Sequence, residues 1–301
     1  SSAYCTRGTY QTDTVNCYVS DYDVNNPWWG TTAERWWNIY AARPFLTGGF
    51  VWTGFDYRGE PTPYRWPDIN SNFGIMDMCG FPKNNYYYYQ SWWSGENVLH
   101  IFPHWNWQGK EGQSIDVWCF SNCDSVELLL NGKSLGRKIM TRDSHLEWNV
   151  PYELGTLEAW GWRDGKEMST EEETTGEPAA IKLTSDRDTI RADGEDVSVV
   201  TVTAVDSLGR EVPAAGNLIN FSSEGEGSII GVGNGNPSSH EPDKYLDGNY
   251  QRMLFNGKCE VILLSTRHPG EIKLDAHSQG LRSATVTIHA TPSQSIPIVG
   301  K

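Results

Sequence analysis

The chain has 301 residues, 38% hydrophobic and 12% aromatic, enough for two or three domains that each bury a core. With 24 basic against 38 acidic residues and a formal charge of −14, it lacks the basic face that a nucleic-acid partner requires; a neutral ligand suits it better. No apolar run reaches the ~18 residues of a membrane span, and Ser1 opens the chain without a charged-then-apolar signal segment, the pattern of a processed chain or a fragment.

Residues 1–30, rich in Thr, Asp, Asn and Tyr, follow no period and read as a long loop. Thr31 or Thr32 then caps a helix in which Trp36, Ile39, Tyr40 and Arg43 fall at helical spacing, and Pro44 ends it. Gly48 and Gly49 release the chain into a strand over 50–57. Period-2 alternation places Phe50, Trp52, Gly54 and Asp56 on one face: a ring, a gap and a carboxylate toward the strand's C-terminal end. Pro61, Pro63 and Pro67 stiffen the loop that follows. A second aromatic segment covers 73–93, where the run of four tyrosines from Tyr86, with Trp92 and Trp93, forms a broad apolar helix face.

The grammar changes near Gly95. Short alternating strands over 98–102, 114–120, 125–130 and 157–163, with the turn pairs Asn131-Gly132 and Asp164-Gly165, indicate a β-sandwich. The polar run 169–177, holding Glu171, Glu172 and Glu173, reads as a linker. A second sandwich has strands over 180–185, 198–206, 218–222, 258–264, 270–277 and 282–290, interrupted by a Gly/Asn/Ser-rich loop over 231–247. The expected division is 1–96, 97–176, 177–291 and a Pro/Ser-rich tail over 292–301, in the class α/β plus all-β.

Ten of the fourteen Trp precede Gln108 and eleven of the fourteen Tyr precede Gln90, a bias that core packing alone would not produce. Sugars offer apolar C–H faces with a rim of hydroxyls, which a flat ring beside polar groups can bind. Trp52 with Asp56 is the strongest local pair. Trp52 serves as a platform and Asp56 as an acceptor for hydroxyls or for a neighbouring side chain; alternatively, Trp52 fills a core and Asp56 caps a turn. Asp56 and Glu60 are disfavoured as a catalytic carboxylate pair because Glu60 sits in a rigid turn between Gly59 and Pro61, and no other carboxylate stands out as nucleophile or general acid. The six cysteines follow no CxxC spacing and read as buried thiols, with Cys119 and Cys123 at most a local bridge. The seven histidines form no metal-ligand spacing, and the glycine-rich run from Gly231 leads into Pro237 rather than a helix, so no phosphate loop and no cofactor are expected.

Gly48-Gly49-Phe50-Val51-Trp52, Gly54-Phe55-Asp56-Tyr57 and Gly59-Glu60-Pro61-Thr62-Pro63-Tyr64 resemble the last barrel strand of glycoside hydrolase family 2 β-galactosidases of the multidomain, Bacteroides-like kind. Residues 73–83 are similar to the approach to the final barrel helix, and Pro103-His104-Trp105-Asn106-Trp107 and the run over 126–136 resemble the sandwich after the barrel. The last domain is similar to an immunoglobulin-like C-terminal domain of the same enzymes. The resemblance implies the C-terminal end of a TIM (β/α)8 barrel followed by two β-sandwich domains, from a retaining exo-glycosidase whose two catalytic glutamates follow barrel strands 4 and 7. Both glutamates are expected upstream of Ser1, because the segment resembling Ser1 to Gly8 follows the nucleophile in relatives; this chain alone is then expected to be inactive. The same match makes Trp52 a galactose platform, places Asn72 near a sugar hydroxyl and gives Asp56 a site-shaping role. It further implies a β-galactoside substrate, the rest of the parent enzyme as partner, and a periplasmic or secreted location, and it leaves a homo-oligomer open. The absence of an Asn-x-Lys carboxylate clamp near Asn70 to Lys83 favours galactose over glucuronate. The competing reading is a non-catalytic carbohydrate-binding or adhesion module.

Overall fold

Thr32 caps the first helix, α1 (Ala33–Ala41), its hydroxyl accepting the Arg35 N–H at 3.3 Å. Trp36 and Tyr40, one turn apart, stack at 3.6 Å. The computed structural model describes residues 15–22, 24 and 26–293; Cys5, the segment from Ser1 to Gly8 and the tail from residue 294 lie outside them. The chain divides into two units, Ser1–Thr175 with Pro237–Ser239, and Gly176–Asn236 with His240–Lys301.

In the first unit α2 (Asn84–Trp93) follows α1 and realises the expected aromatic helix. Seven strands come next: β1 (Leu99–Phe102), β2 (Ser114–Ser121), β3 (Ser125–Leu130), β4 (Lys133–Ile139), β5 (Leu146–Pro151), β6 (Thr156–Arg163) and β7 (Lys166–Glu173). They make two antiparallel sheets, β1-β2-β5 and β4-β3-β6-β7. Inward residues of both sheets share one core with the aromatic N-terminal segment: Tyr22, Tyr88 and Tyr89 pack with Phe102, Trp105, Trp118 and Phe120. Tyr88 also donates its hydroxyl to the Asp143 carbonyl at 2.9 Å, and Tyr22 to that of Asp116 at 2.6 Å. Buried rings thus find partners for their polar tips.

The second unit holds β8 (Ala180–Ser185), β9 (Thr189–Ala192), β10 (Val197–Val205), β11 (Leu218–Gly225), β12 (Gly227–Gly233), β13 (Gln251–Met253), β14 (Lys258–Ser265), β15 (Gly270–His277) and β16 (Ala284–Pro292). They form the sheets β12-β14-β10-β8 and β13-β11-β15-β16-β9 around a separate apolar core. Only β9 and β16 pair in parallel, and Ala180 bridges Arg282 in the same sense. Asn256 and Gly257, at φ 50° and 77°, make the tight turn into β14, and a Cβ on Gly257 would stand 2.3 Å from the Val212 carbonyl oxygen.

Three expectations are corrected. Residues 50–57 form no sheet strand: the backbone hydrogen bonds reaching 53–56 come from 73–76, and what remains is a short parallel pairing with isolated bridges at Phe55 and Arg58. No barrel strand is therefore present among the described residues. The run 169–177 is mostly strand, not linker, because the Asp164-Gly165 turn (φ 51° and 74°) returns the chain along β6 and pairs Glu171 with Glu158 and Glu173 with Thr156. Its glutamates suit a sheet edge, where charge discourages further pairing. The glycine-rich loop likewise begins later than expected, since β12 extends to Gly233. Cys119 and Cys123 are buried free thiols, as expected from the sequence.

Trp105 is fully buried, its ring 5.2 Å from Tyr152 and its Nε1 donating to the Glu153 carbonyl at 2.9 Å. Trp105→Ala is expected to cost about 3–5 kcal/mol, read as a lower urea midpoint at unchanged slope. A loss below ~1 kcal/mol, the scale of an ordinary surface change, would contradict a core role.

Candidate functional site

The parallel pairing of 53–56 with 73–76 builds the site. Thr53 N–H donates to Phe73 O at 3.3 Å, Ile75 N–H to Thr53 O at 3.0 Å, Met76 N–H to Gly54 O at 2.9 Å and Asp56 N–H to Met76 O at 3.0 Å. The two segments approach so closely at Gly74 that a Cβ there would lie 2.3 Å from the Asp56 nitrogen. The Gly74 N–H is thereby free to donate to Asp56 Oδ1 at 2.8 Å, beside the Ser71 hydroxyl at 3.3 Å. Asp56 Oδ2 meets Lys83 Nζ at 2.5 Å, and that ammonium also donates to the Asn72 carbonyl at 3.1 Å. Both side chains are buried, so each neutralises a charge that would otherwise be costly to keep from water.

Above this buried pair lies a cleft of about 780 Å³ whose walls include Trp29, Trp36, Trp52, Tyr64, Asn72 and Lys83. Trp52 is 71% exposed, while Asp56 is 5% exposed beneath the wall. The expected shared face of Trp52 and Asp56 is thus not formed, because 50–57 is not a flat strand. Of the alternatives for Asp56, the structure has the acceptor for a neighbouring side chain. The Trp52 indole is held by its edge: Nε1 donates to the Tyr57 hydroxyl at 3.1 Å, and that hydroxyl donates to Glu60. The bond to Glu60 raises the Tyr57 pKa, which keeps the proton in place for the relay. Glu60 is consequently engaged in fixing a ring, far from a pairing with buried Asp56. Asn72 joins the cleft through a different layer: its Nδ2 donates to Asp68 Oδ2 at 2.6 Å, and its Oδ1 is buried without a hydrogen-bond partner among the described residues.

Two further buried carboxyls support the site. Burial pushes Asp68 up to about 6, against the Asn70 N–H and the Asn72 amide that favour its charged form. Burial likewise pushes Asp77 up to about 6, opposed by the N–H groups of Phe81 and Cys79. Trp29, Trp36 and Lys83 were missed in the sequence. Lys83 carried a weak signal, being the only Lys or Arg between Arg65 and Lys110.

Residues 181–287 match the family described as glycoside hydrolase family 2 C-terminal domain 5, and residues 112–169 match a domain of unknown function, DUF4982. The chain is 43% identical to the beta-galactosidase BoGH2A of Bacteroides ovatus over 96% of its own length and 36% of that protein. Among solved structures, a beta-glycosidase from Bacteroides vulgatus superposes with a TM-score of 0.84 at 34% identity, covering 91% of this chain and 34% of the other. A beta-glucuronidase from glycoside hydrolase family 2 superposes with a TM-score of 0.76 at 26% identity, covering 97% and 30%. The chain thus spans about a third of the length of the relatives it matches.

Removing one partner of the buried ion pair should be severe. Lys83→Met, which strands the Asp56 carboxylate, is expected to cost on the order of 3–5 kcal/mol by urea denaturation, and near-neutral behaviour would show that the pair is dispensable. Asp68 and Asp77 give a pH dependence of definite sign. Their folded pKa values near 6 lie above the unfolded value of about 3.9, so the folded state holds the extra protons and is destabilised as pH rises through that window. Stability should therefore increase from pH 7.5 to pH 5 by on the order of 1 kcal/mol per carboxyl. Asp68→Asn should remove its share of that increase, and an unchanged pH slope would refute the assignment.

Proposed function

For a chain that corresponds to a C-terminal portion of a glycoside hydrolase family 2 enzyme, we propose that it forms part of the sugar site of a retaining exo-β-galactosidase. The reading rests on Trp52, an exposed indole at the mouth of an aromatic-walled cleft, fixed by its edge through Tyr57 and Glu60. A pyranose C–H face packs on that indole, and Asn72 offers an amide to a hydroxyl. The acid/base and nucleophile of the two-step reaction are glutamates of the parent enzyme's barrel, to whose site this chain brings Trp52 and Asn72, and no metal takes part in the proton transfers. The family resemblance alone supports a periplasmic or secreted location for the complete protein.

Galactose is preferred over glucuronate on charge. Among the described residues lining the cleft, Lys83 is the one Lys or Arg, and its ammonium is bound to Asp56. A uronate carboxylate entering there would meet Glu60 and Asp21 instead. The relative named a beta-glucuronidase makes the alternative concrete.

The complete enzyme and this chain should be assayed side by side on p-nitrophenyl β-galactoside and β-glucuronide. Hydrolysis is expected from the complete enzyme only, on the galactoside, and Trp52→Ala should lower kcat/KM on the order of a hundredfold. Preference for the glucuronide would overturn the sugar assignment, and a Trp52→Ala effect within about twofold would overturn the platform.

A further inference from the structure

The two helices that wall the cleft are each pinned at their first turn by a histidine, His145 just before β5 for α1 and His100 of β1 for α2. On α1, Glu34 Oε2 meets His145 Nδ1 at 2.6 Å, and the His145 ring stacks on Trp118 of β2 at 3.8 Å with 20° between planes. Residue 36 lies two positions on, about 200° around the helix, so the face that binds His145 is opposite the face that sends Trp36 into the cleft. Trp36 has no slack there: a Cβ on Gly49 would come within 2.4 Å of its ring. On α2, the first residue, Asn84, accepts at Oδ1 from His100 Nε2 at 2.8 Å, while its Nδ2 donates to the Asp21 carbonyl at 3.4 Å. Asn84 and Asp21 both line the cleft. The His100 ring is sandwiched between Tyr87 at 3.8 Å and Phe102 at 5.6 Å, nearly parallel to both. Its burial lowers its pKa well below the usual histidine value, which keeps the ring neutral and its Nε2 proton on Asn84.

We propose that His145 and His100 are positioning residues of the sugar site, and that the first sandwich sets the affinity of the cleft by fixing the helices that wall it. The inference rests on the cleft being the sugar site. A wall that touches the sugar equally in the bound and transition states changes KM and leaves kcat. The sandwich then acts as part of the binding site rather than as a spacer.

The test is made in the complete enzyme with p-nitrophenyl β-galactoside. His145→Ala and, from the helix side, Glu34→Ala should each raise KM about threefold to tenfold, the net scale of one lost hydrogen bond. For both, kcat should stay within about twofold. His145→Asn, whose amide nitrogen stands where Nδ1 did and can still donate to Glu34, should recover most of the loss, and amide hydrogen exchange in Ala33–Ala41 should quicken in the alanine variants only. An unchanged KM, or kcat falling in step with it, overturns the positioning role, and Glu34→Ala decides the matter if His145→Ala fails to fold. Trp52→Ala run in parallel separates the two levels: if it is damaging while His145→Ala and Glu34→Ala are silent, only the positioning role fails. If Trp52→Ala is silent as well, the sugar site itself is misplaced and the positioning role falls with it.

Discussion

The Asp56–Lys83 pair is the contact from which the geometry of the cleft follows. Neither ion is tolerable alone out of water, and the bonds from Gly74, Ser71 and the Asn72 carbonyl leave them one arrangement in which both are satisfied. That arrangement fastens residues 53–56 to 72–83, and so fixes where the chain emerges at Trp52 and where α2 begins, directly after Lys83. A buried ion pair is a modest source of stability but a strict source of geometry, and geometry is what a ring platform needs.

Much of the fold was legible because its elements obey simple periods. The alternating strands β3, β8 and β15 fall on their expected residues, and Asn131-Gly132 and Asp164-Gly165 adopt the paired positive φ that their chemistry favours. The strands that escaped notice, β4, β5, β7, β9, β12 and β13, all lie at sheet edges, and β4 and β7 are polar and largely exposed along their length. Edge strands gain their hydrogen bonds from one neighbour and need no apolar alternation, so a pattern search reads them as loop. The site was legible in its residues and not in their arrangement. Trp52 and Asp56 were both visible, but alternation assumes a flat strand, and the close approach at Gly74 folds the carboxylate under the wall while the indole stays outside. Asn72 was reachable through resemblance alone, since its meaning depends on the amide bond to Asp68.

The concentration of rings in the N-terminal third has two causes. Tyr22, Tyr88, Tyr89, Trp105 and Trp107 belong to the core shared with the sandwich, whereas Trp28, Phe50, Trp52 and Trp66 stand in solvent. Composition sees both sets as one signal. Polar tips separate them in part: Tyr22, Tyr88 and Trp105 each spend theirs on a backbone carbonyl, but Trp52, largely exposed, spends its own on the Tyr57–Glu60 relay.

The parallel run of β16 beside β9, with Ala180 bridged to Arg282, orients the second unit along its own sheet. The polypeptide comes in level with Arg282 and leaves at Pro292, roughly 30 Å further along at the rise of a β-strand. Within this unit the first and last paired residues of the sheet core therefore stand well apart along β16 instead of side by side.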